Sequence, residues 1–97
     1  MKAELLLRER RVMGDDVFVE LRVWRVPKAV RGSSHRLKYS LVLIVDGACL
    51  VRYDNEAGKG DHRHVGGIEA PYRFVNTNRL LEDFWKDVER WLTTAGR

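Results

Sequence analysis

Two of the three histidines in this chain lie two residues apart, in a segment dense in groups that can move protons or bind phosphate. The segment runs from Asp54 to His64 and includes His62, Lys59 and Asp61. An unperturbed imidazole titrates at about pH 6.5, so one histidine can accept a proton while a second group donates one. The segment is therefore the first candidate for a catalytic site.

Side chains two residues apart in an extended strand point to the same side, so His62 and His64 are predicted to project together and Arg63 away from them. Cleavage of RNA without a metal needs a base for the ribose 2′-hydroxyl, an acid for the leaving 5′-oxygen and a cation near phosphorus. The two histidines are predicted to transfer the protons, with Lys59 or Asp61 as a further donor. Lys59 or Arg63 is predicted to supply the cation.

Two other interpretations of this segment stay open. Asp54, Asp61, His62 and His64 are ligand types that suit zinc or another divalent ion, with Asn55 as a further oxygen ligand for magnesium, although a His-x-His pair is not by itself a metal motif. Alternatively, Asp54 and Asn55 only close a turn, and the histidines bond to backbone groups in an ordered loop.

The net charge of +4 comes entirely from the first half of the chain. Residues 1–48 carry ten Lys or Arg and six Asp or Glu, whereas residues 49–97 carry eight of each. Between Arg22 and Lys38 there are six basic residues and no acidic one. Such a stretch can bind along a phosphate backbone, with an aromatic ring on which a base stacks. Alternatively, it is a solvated loop and strand edge whose charge keeps the protein soluble. The predicted nucleic-acid-binding residues are Arg22, Trp24, Arg25, Arg36 and Lys38.

The composition indicates one globular domain spanning residues 1–97, because 44% of the residues are apolar and 33% are charged. Cys49 is the only cysteine and so has no partner for an internal disulfide, which favours a cytoplasmic protein. Three leucines near the amino terminus are followed at once by charged residues, so we expect no signal peptide or membrane span there.

Alternating apolar residues and turn signals predict an α+β fold, in which a small antiparallel sheet of four or five strands is covered by a long C-terminal helix. Strands are predicted at about residues 3–12, 17–26, 36–45 and 49–54, with a short fifth strand at 62–65. Asp15-Asp16 and Asp46-Gly47 are predicted to form hairpin turns. The segment after Asp54 is predicted to leave the sheet, and residues 66–71 to be irregular.

A helix is predicted from Thr77 or Asn78, either of which can cap its start, to about Thr93. Its apolar residues recur at three- and four-residue spacing, so they are expected to lie on the sheet. They are Leu81, Phe84, Trp85, Val88, Trp91 and Leu92.

Four motifs, which span much of the chain, resemble the TumE family of prokaryotic toxin-antitoxin toxins. They are Tyr53-Asp54-Asn55, Gly58-Lys59-Gly60-Asp61-His62-Arg63-His64, Pro71-Tyr72-Arg73-Phe74 and Leu80-Leu81-Glu82-Asp83-Phe84-Trp85. The resemblance implies a small cytoplasmic toxin, encoded beside an antitoxin with a helix-turn-helix DNA-binding domain. Many toxins of this size act on RNA, so ribonuclease activity is an inference by class that the site residues have to support.

Together these features predict a toxin that inhibits growth by cleaving RNA through acid-base chemistry in the Asp54–His64 segment. The alternatives are a module that binds nucleic acid or protein without chemistry, and a nuclease that depends on a divalent metal. The expected partners are the helix-turn-helix antitoxin and RNA rather than a membrane, and a homodimer is left open. No cofactor is expected other than that metal.

Overall fold

The structure, a computed structural model that describes residues 2–94, contains six strands that follow one another in the chain and pair in the same order, each antiparallel to the next. The strands are β1 (Glu4–Gly14), β2 (Val17–Arg25), β3 (Leu37–Val45), β4 (Ala48–Glu56), β5 (Gly60–Val65) and β6 (Ile68–Pro71). The helix α1 (Thr77–Thr94) follows them. The predicted α+β class and C-terminal helix are confirmed, whereas the predicted four or five strands were too few.

The sheet is larger than predicted because glycines that suggested loops form tight turns instead. Asn55 continues β4 and β5 begins at Gly60, so the segment expected to leave the sheet is a hairpin whose turn is only residues 57–59. Gly66 and Gly67 have φ values of 57° and 85° and connect β5 to β6. Two consecutive positive φ angles suit a two-residue hairpin turn, which brings the segment predicted to be irregular into the sheet.

The core lies between α1 and one face of the sheet. Alternate residues of β2 and β3 are buried, as the period of a half-buried strand requires. Leu80, Phe84 and Val88 from α1 are buried against them, and the ring of Phe84 meets that of Tyr53 edge to face at 5.9 Å. The buried apolar residues of the strands are Val17, Val19, Leu21, Val23, Tyr39, Leu41, Leu43, Val45, Val51 and Tyr53.

The helix follows the predicted span closely but is capped one residue earlier than predicted. The Oδ1 atom of Asn76 accepts a hydrogen bond from the backbone N–H of Arg79 at 2.8 Å, so Asn76 is the N-cap rather than Thr77 or Asn78. Within residues 2–94, no helix is long and apolar enough to cross a membrane.

The connection between β2 and β3 touches the start of β5 through two glycines. A Cβ atom on Gly60 would lie 2.5 Å from the carbonyl oxygen of Gly32, and Gly60 itself has a φ of 76°. Both the contact and the dihedral angle therefore exclude a side chain at this position. The close approach fixes the connection against the start of β5.

We expect Gly60→Ala to lower the free energy of unfolding by about 2–4 kcal/mol, because backbone strain and steric overlap add. Gly47→Ala is the matched control, since Gly47 also has a positive φ of 80° but has no atom within 4 Å of its Cβ position. Urea denaturation followed by tryptophan fluorescence measures both. Equal losses for the two variants would show that the contact with Gly32 adds nothing.

Candidate functional site

The two histidines of β5 lie on the open face of the sheet, opposite α1. In the pairing with β4, His62 faces Asp54, Arg63 faces the buried Tyr53 and His64 faces Arg52. The side of β5 that carries Arg63 therefore faces α1, and the imidazoles share the other side. This is the arrangement that strand alternation predicts, while the catalytic role of the histidines stays a prediction.

Glu69 brings the two imidazoles together. It pairs with His64 across the β5–β6 hairpin, and its two carboxylate oxygens lie 3.6 Å from Nε2 of His62 and 3.7 Å from Nε2 of His64. The Nζ atom of Lys59 is 3.7 Å from the same carboxylate. Glu69 was not among the predicted site residues, although a two-residue turn at Gly66-Gly67 places it opposite His64.

Hydrogen bonding assigns a tautomer to His62. Its Nδ1 lies 3.0 Å from the carbonyl oxygen of Gly60, and because a carbonyl only accepts, Nδ1 carries the hydrogen. The Nε2 atom of a neutral His62 is then free to accept a proton. The side chains of His62 and His64 are 17% and 35% exposed, so both are open to solvent rather than sealed in the core.

Three of the five predicted nucleic-acid-binding residues share the face of the histidines. Arg22, Ser40, Asp54 and His62 form a row across four adjacent strands. Three strand spacings separate the ends of this row by about 14 Å. Trp24 and Lys38 form the neighbouring pair on the same face. They are joined there by Arg52, whose position beside His64 was not predicted.

Arg25 does not belong to this face, and Arg36 lies in the connection between β2 and β3. Arg25 pairs with Leu37 on the side of α1, and its guanidinium donates to the carboxylate of Glu4 at 2.9 Å. Arg36 precedes β3, and its carbonyl oxygen accepts the backbone N–H of Val26 at 2.9 Å. A run of basic residues therefore divides between two faces and a loop, which charge counting along the sequence does not reveal.

Asp61 lies on the side of β5 away from the histidines, which separates it from the site predicted for it. Its carboxylate accepts hydrogen bonds from the hydroxyl of Ser33, from Nε2 of His35 at 2.7 Å and from the hydroxyl of Tyr39 at 2.7 Å. Burial raises the pKa of Asp61, but these three donors outweigh it and hold the pKa below its ordinary value. Asp61 is thus an ionised acceptor at neutral pH.

His35, the third histidine, is fixed in the same cluster. Its Nδ1 accepts the backbone N–H of Leu37 at 3.2 Å, so Nε2 carries the hydrogen that it donates to Asp61. Its ring stacks on Phe74 with the centroids 3.8 Å apart. Because both ring nitrogens are engaged and Ser33 bonds to Asp61, this Ser, His and Asp set is not arranged to activate a nucleophile.

Asn55 is fully buried and organises the backbone that leads into β3. Its Oδ1 accepts the backbone N–H of Tyr39 at 2.9 Å, and its Nδ2 donates to the carbonyl oxygen of Leu37 at 2.7 Å and to the hydroxyl oxygen of Ser33 at 3.3 Å. These contacts satisfy a buried amide, as a polar group in a core requires. Asn55 therefore fixes the backbone at the start of β3. It was predicted to structure a loop, but it does so from within strand β4.

Four of the predicted metal ligands divide between the two faces, and the fifth, Asn55, is buried with its amide bonded to backbone groups. Asp54, His62 and His64 share the open face, whereas Asp61 lies on the other. Burial is the main cause that raises the pKa of the Asp54 carboxyl. Within residues 2–94, no three or more His, Cys, Asp or Glu side chains are arranged to hold a metal ion. Dependence on a metal stays a prediction for experiment.

Arg63 links β5 to α1 and so lies away from the imidazoles. Its Nε and a terminal nitrogen donate to the two carboxylate oxygens of Asp87 at 2.7 and 2.9 Å, and Nε also donates to the hydroxyl of Tyr53 at 2.9 Å. Burial raises the pKa of Asp87, but the hydrogen bonds from Arg63 and Tyr53 outweigh it and hold the pKa below its ordinary value. Of the two cations predicted to stabilise charge on phosphorus, only Lys59 lies near the histidines.

Comparison with known proteins identifies one family. A family model described as "Toxin TumE" matches residues 2–92. The match extends over all six strands and most of α1. No curated protein and no solved structure matches the chain.

Proposed function

Because this chain belongs to the TumE toxin family, we propose that it is the toxin of a toxin-antitoxin pair and inhibits growth by cleaving RNA at His62 and His64. The observation that carries the proposal is the convergence of both imidazoles on Glu69, on an open and basic face of the sheet. The antitoxin that neutralises it would be a protein with a helix-turn-helix domain, as the family resemblance implies.

His62 is the base in the proposed reaction. Its Nε2 takes the proton of a ribose 2′-hydroxyl, since the other ring nitrogen is held by the carbonyl of Gly60. The 2′-oxygen then attacks phosphorus, and the bond from phosphorus to the 5′-oxygen breaks. The products are a 2′,3′-cyclic phosphate and a 5′-hydroxyl.

His64 is the acid that protonates the leaving 5′-oxygen. Its Nε2 lies beside the Glu69 carboxylate, which orients the imidazole N–H in the absence of RNA. Lys59 reaches the same carboxylate and is placed to stabilise the negative charge that develops on the phosphate oxygens. Binding of RNA replaces the contact with Glu69 by contacts with phosphate.

The rest of the open face holds the RNA strand. Arg22, Lys38 and Arg52 offer cations to successive phosphates, and Trp24 offers a ring on which a base can stack. These residues lie on adjacent strands, so the strand of RNA crosses the sheet toward the histidines. Any preference for an RNA sequence would depend on which bases fit against Trp24 and the other side chains of the open face.

Incubation of the purified chain with end-labelled RNA is expected to give fragments that end in a 2′,3′-cyclic phosphate, both with and without EDTA. A substrate that lacks the 2′-hydroxyl is expected to stay intact, because the attacking oxygen is missing. Loss of cleavage in EDTA that returns with a divalent ion would instead support a metal-dependent nuclease. Salt-dependent binding without any cleavage would support the non-catalytic module.

Inducing the chain in cells with and without the neighbouring gene extends this test to growth. The proposal expects RNA breakdown and growth arrest only when the neighbouring gene is absent. Growth arrest with intact RNA would separate the toxin role from the ribonuclease role.

A further inference from the structure

An open groove runs between α1 and the β5–β6 hairpin, on the side of the sheet that faces away from His62 and His64. The guanidinium of Arg63 lies in this groove, held in one orientation by its paired contacts with Asp87. Four more cations line the groove, from α1 and from the segment that leads into it. They are Arg73, Arg79, Lys86 and Arg90.

The lining of the groove carries more cations than carboxylates. Its five cations face two carboxylates, and both carboxylates are already engaged. Asp87 binds Arg63, while Asp83 accepts from Arg79 at 3.1 Å and from the hydroxyl of Tyr72 at 2.6 Å. Among the salt bridges of residues 2–94, none involves Arg73 or Lys86. An anion is the ligand that these charges favour.

The cations of α1 form a row rather than a point. Arg79, Lys86 and Arg90 are seven and four residues apart, so they lie along one side of the helix. At the rise of an α-helix the row is about 16 Å long. A row of cations matches a chain of phosphates better than it matches one isolated anion.

The composition of the groove favours a nucleic acid over an acidic protein. Hot spots of protein interfaces are enriched in Trp, Tyr and Arg and cluster in well-packed, desolvated pockets, whereas an open groove stays wet. Here the lining is mostly charged, and the hydroxyl of Tyr72 is already bonded to Asp83. Among the described residues, Val75 is the one large apolar side chain of the groove that is exposed, at 60%. Only the four-residue strand β6 separates the groove from the face that carries the histidines.

We propose that this groove binds the phosphate backbone of single-stranded RNA as a second site, reached where the strand passes over β6 from the face of the histidines. The inference rests on the proposed function for its ligand, since that function makes RNA the substrate. It adds that a long RNA contacts both sides of the sheet, whereas a short RNA contacts the open face alone.

The test measures binding of single-stranded RNA with 2′-O-methyl groups, which resists cleavage, by fluorescence anisotropy at several salt concentrations. We expect Arg73→Gln/Lys86→Gln to weaken binding of a long RNA and to reduce the slope of log affinity against log salt by about 1.4. Each phosphate contact of a single strand contributes about 0.7 to that slope. Both residues are exposed, so the fold is expected to be retained. Binding and cleavage of a trinucleotide substrate are expected to be unchanged.

Lys2→Gln/Lys28→Gln is the matched control, because it removes the same charge from exposed positions outside the groove. An equal change in slope for the two double variants would overturn the inference and indicate unspecific attraction. Unchanged RNA binding by the groove variant, with loss of binding to the antitoxin, would overturn it in favour of a protein ligand.

The same measurements separate this inference from the proposed function. If the wild-type chain cleaves RNA and the groove variant binds long RNA normally, only the groove is overturned. If the wild-type chain binds long RNA through the groove but cleaves none, the second binding site is supported and the proposed RNA cleavage is overturned.

Discussion

His64→Ala is expected to slow RNA cleavage by about 10²- to 10⁴-fold, the usual contribution of one positioned acid or base. His62→Ala should have an effect of similar size, because each imidazole moves a different proton. His64 is partly exposed and its contact with Glu69 is at the surface, so its loss should leave the fold intact. Cleavage of labelled RNA under single-turnover conditions measures the rates, and urea denaturation checks stability.

A substrate with sulfur in place of the 5′-oxygen distinguishes the two roles. A thiolate leaves without protonation, so this substrate should restore most of the rate to His64→Ala but not to His62→Ala. Lys28→Ala serves as a surface control with full activity expected. If a folded His62→Ala/His64→Ala variant keeps full toxicity in cells, the open face is not the site of the reaction.

Asp87→Ala is expected to lower the free energy of unfolding by about 2–4 kcal/mol. The carboxylate is buried and accepts from Arg63 and Tyr53, so its removal takes the charged acceptor away from both donors. Only the weaker contacts from Arg63 to the Tyr53 hydroxyl and from that hydroxyl to the carbonyl oxygen of Asp83 are left. The Arg63 side chain is 37% exposed, and water therefore compensates part of the loss. Urea denaturation at neutral pH measures the change.

Asp87→Asn is the matched control, because it keeps the size of the side chain but removes its charge. Since the pKa of Asp87 is lowered in the folded chain from its ordinary value of 3.8, the unfolded chain binds the proton first as the pH falls. The stabilisation by the carboxylate is therefore complete near neutral pH and is lost as the pH falls below about 4. The wild-type chain should lose stability more steeply in acid than Asp87→Asn. Identical acid profiles would show that the ion pair contributes no stability.

Local patterns in the sequence were sufficient for much of the fold. The alternation of Val17 to Val23 predicts a half-buried strand, Asp46-Gly47 predicts a hairpin, and the spacing of Phe84 and Val88 predicts a helix face on the sheet. Each signal is complete within a few residues, because strand and helix periods are properties of the local backbone. The same alternation placed His62 and His64 on one side of β5.

The extent of the sheet was harder to predict, because its limits depend on turns. Gly58 and Gly60, and then Gly66 and Gly67, are compatible with either loops or tight hairpins. Hairpin pairing at both places added residues to β4 and created β6. It also brought Glu69 to the histidines, which a strand prediction without register does not do.

The sequence by itself determined the period of each element and that His62 and His64 lie on one side of their strand. Only the tertiary structure decided what Asp61 and Arg63 do, because their partners His35 and Asp87 are 26 and 24 residues away. Those partners meet them only once the sheet has its register and α1 covers one face. A residue type states which chemistry is available, whereas long-range packing determines which groups share a site.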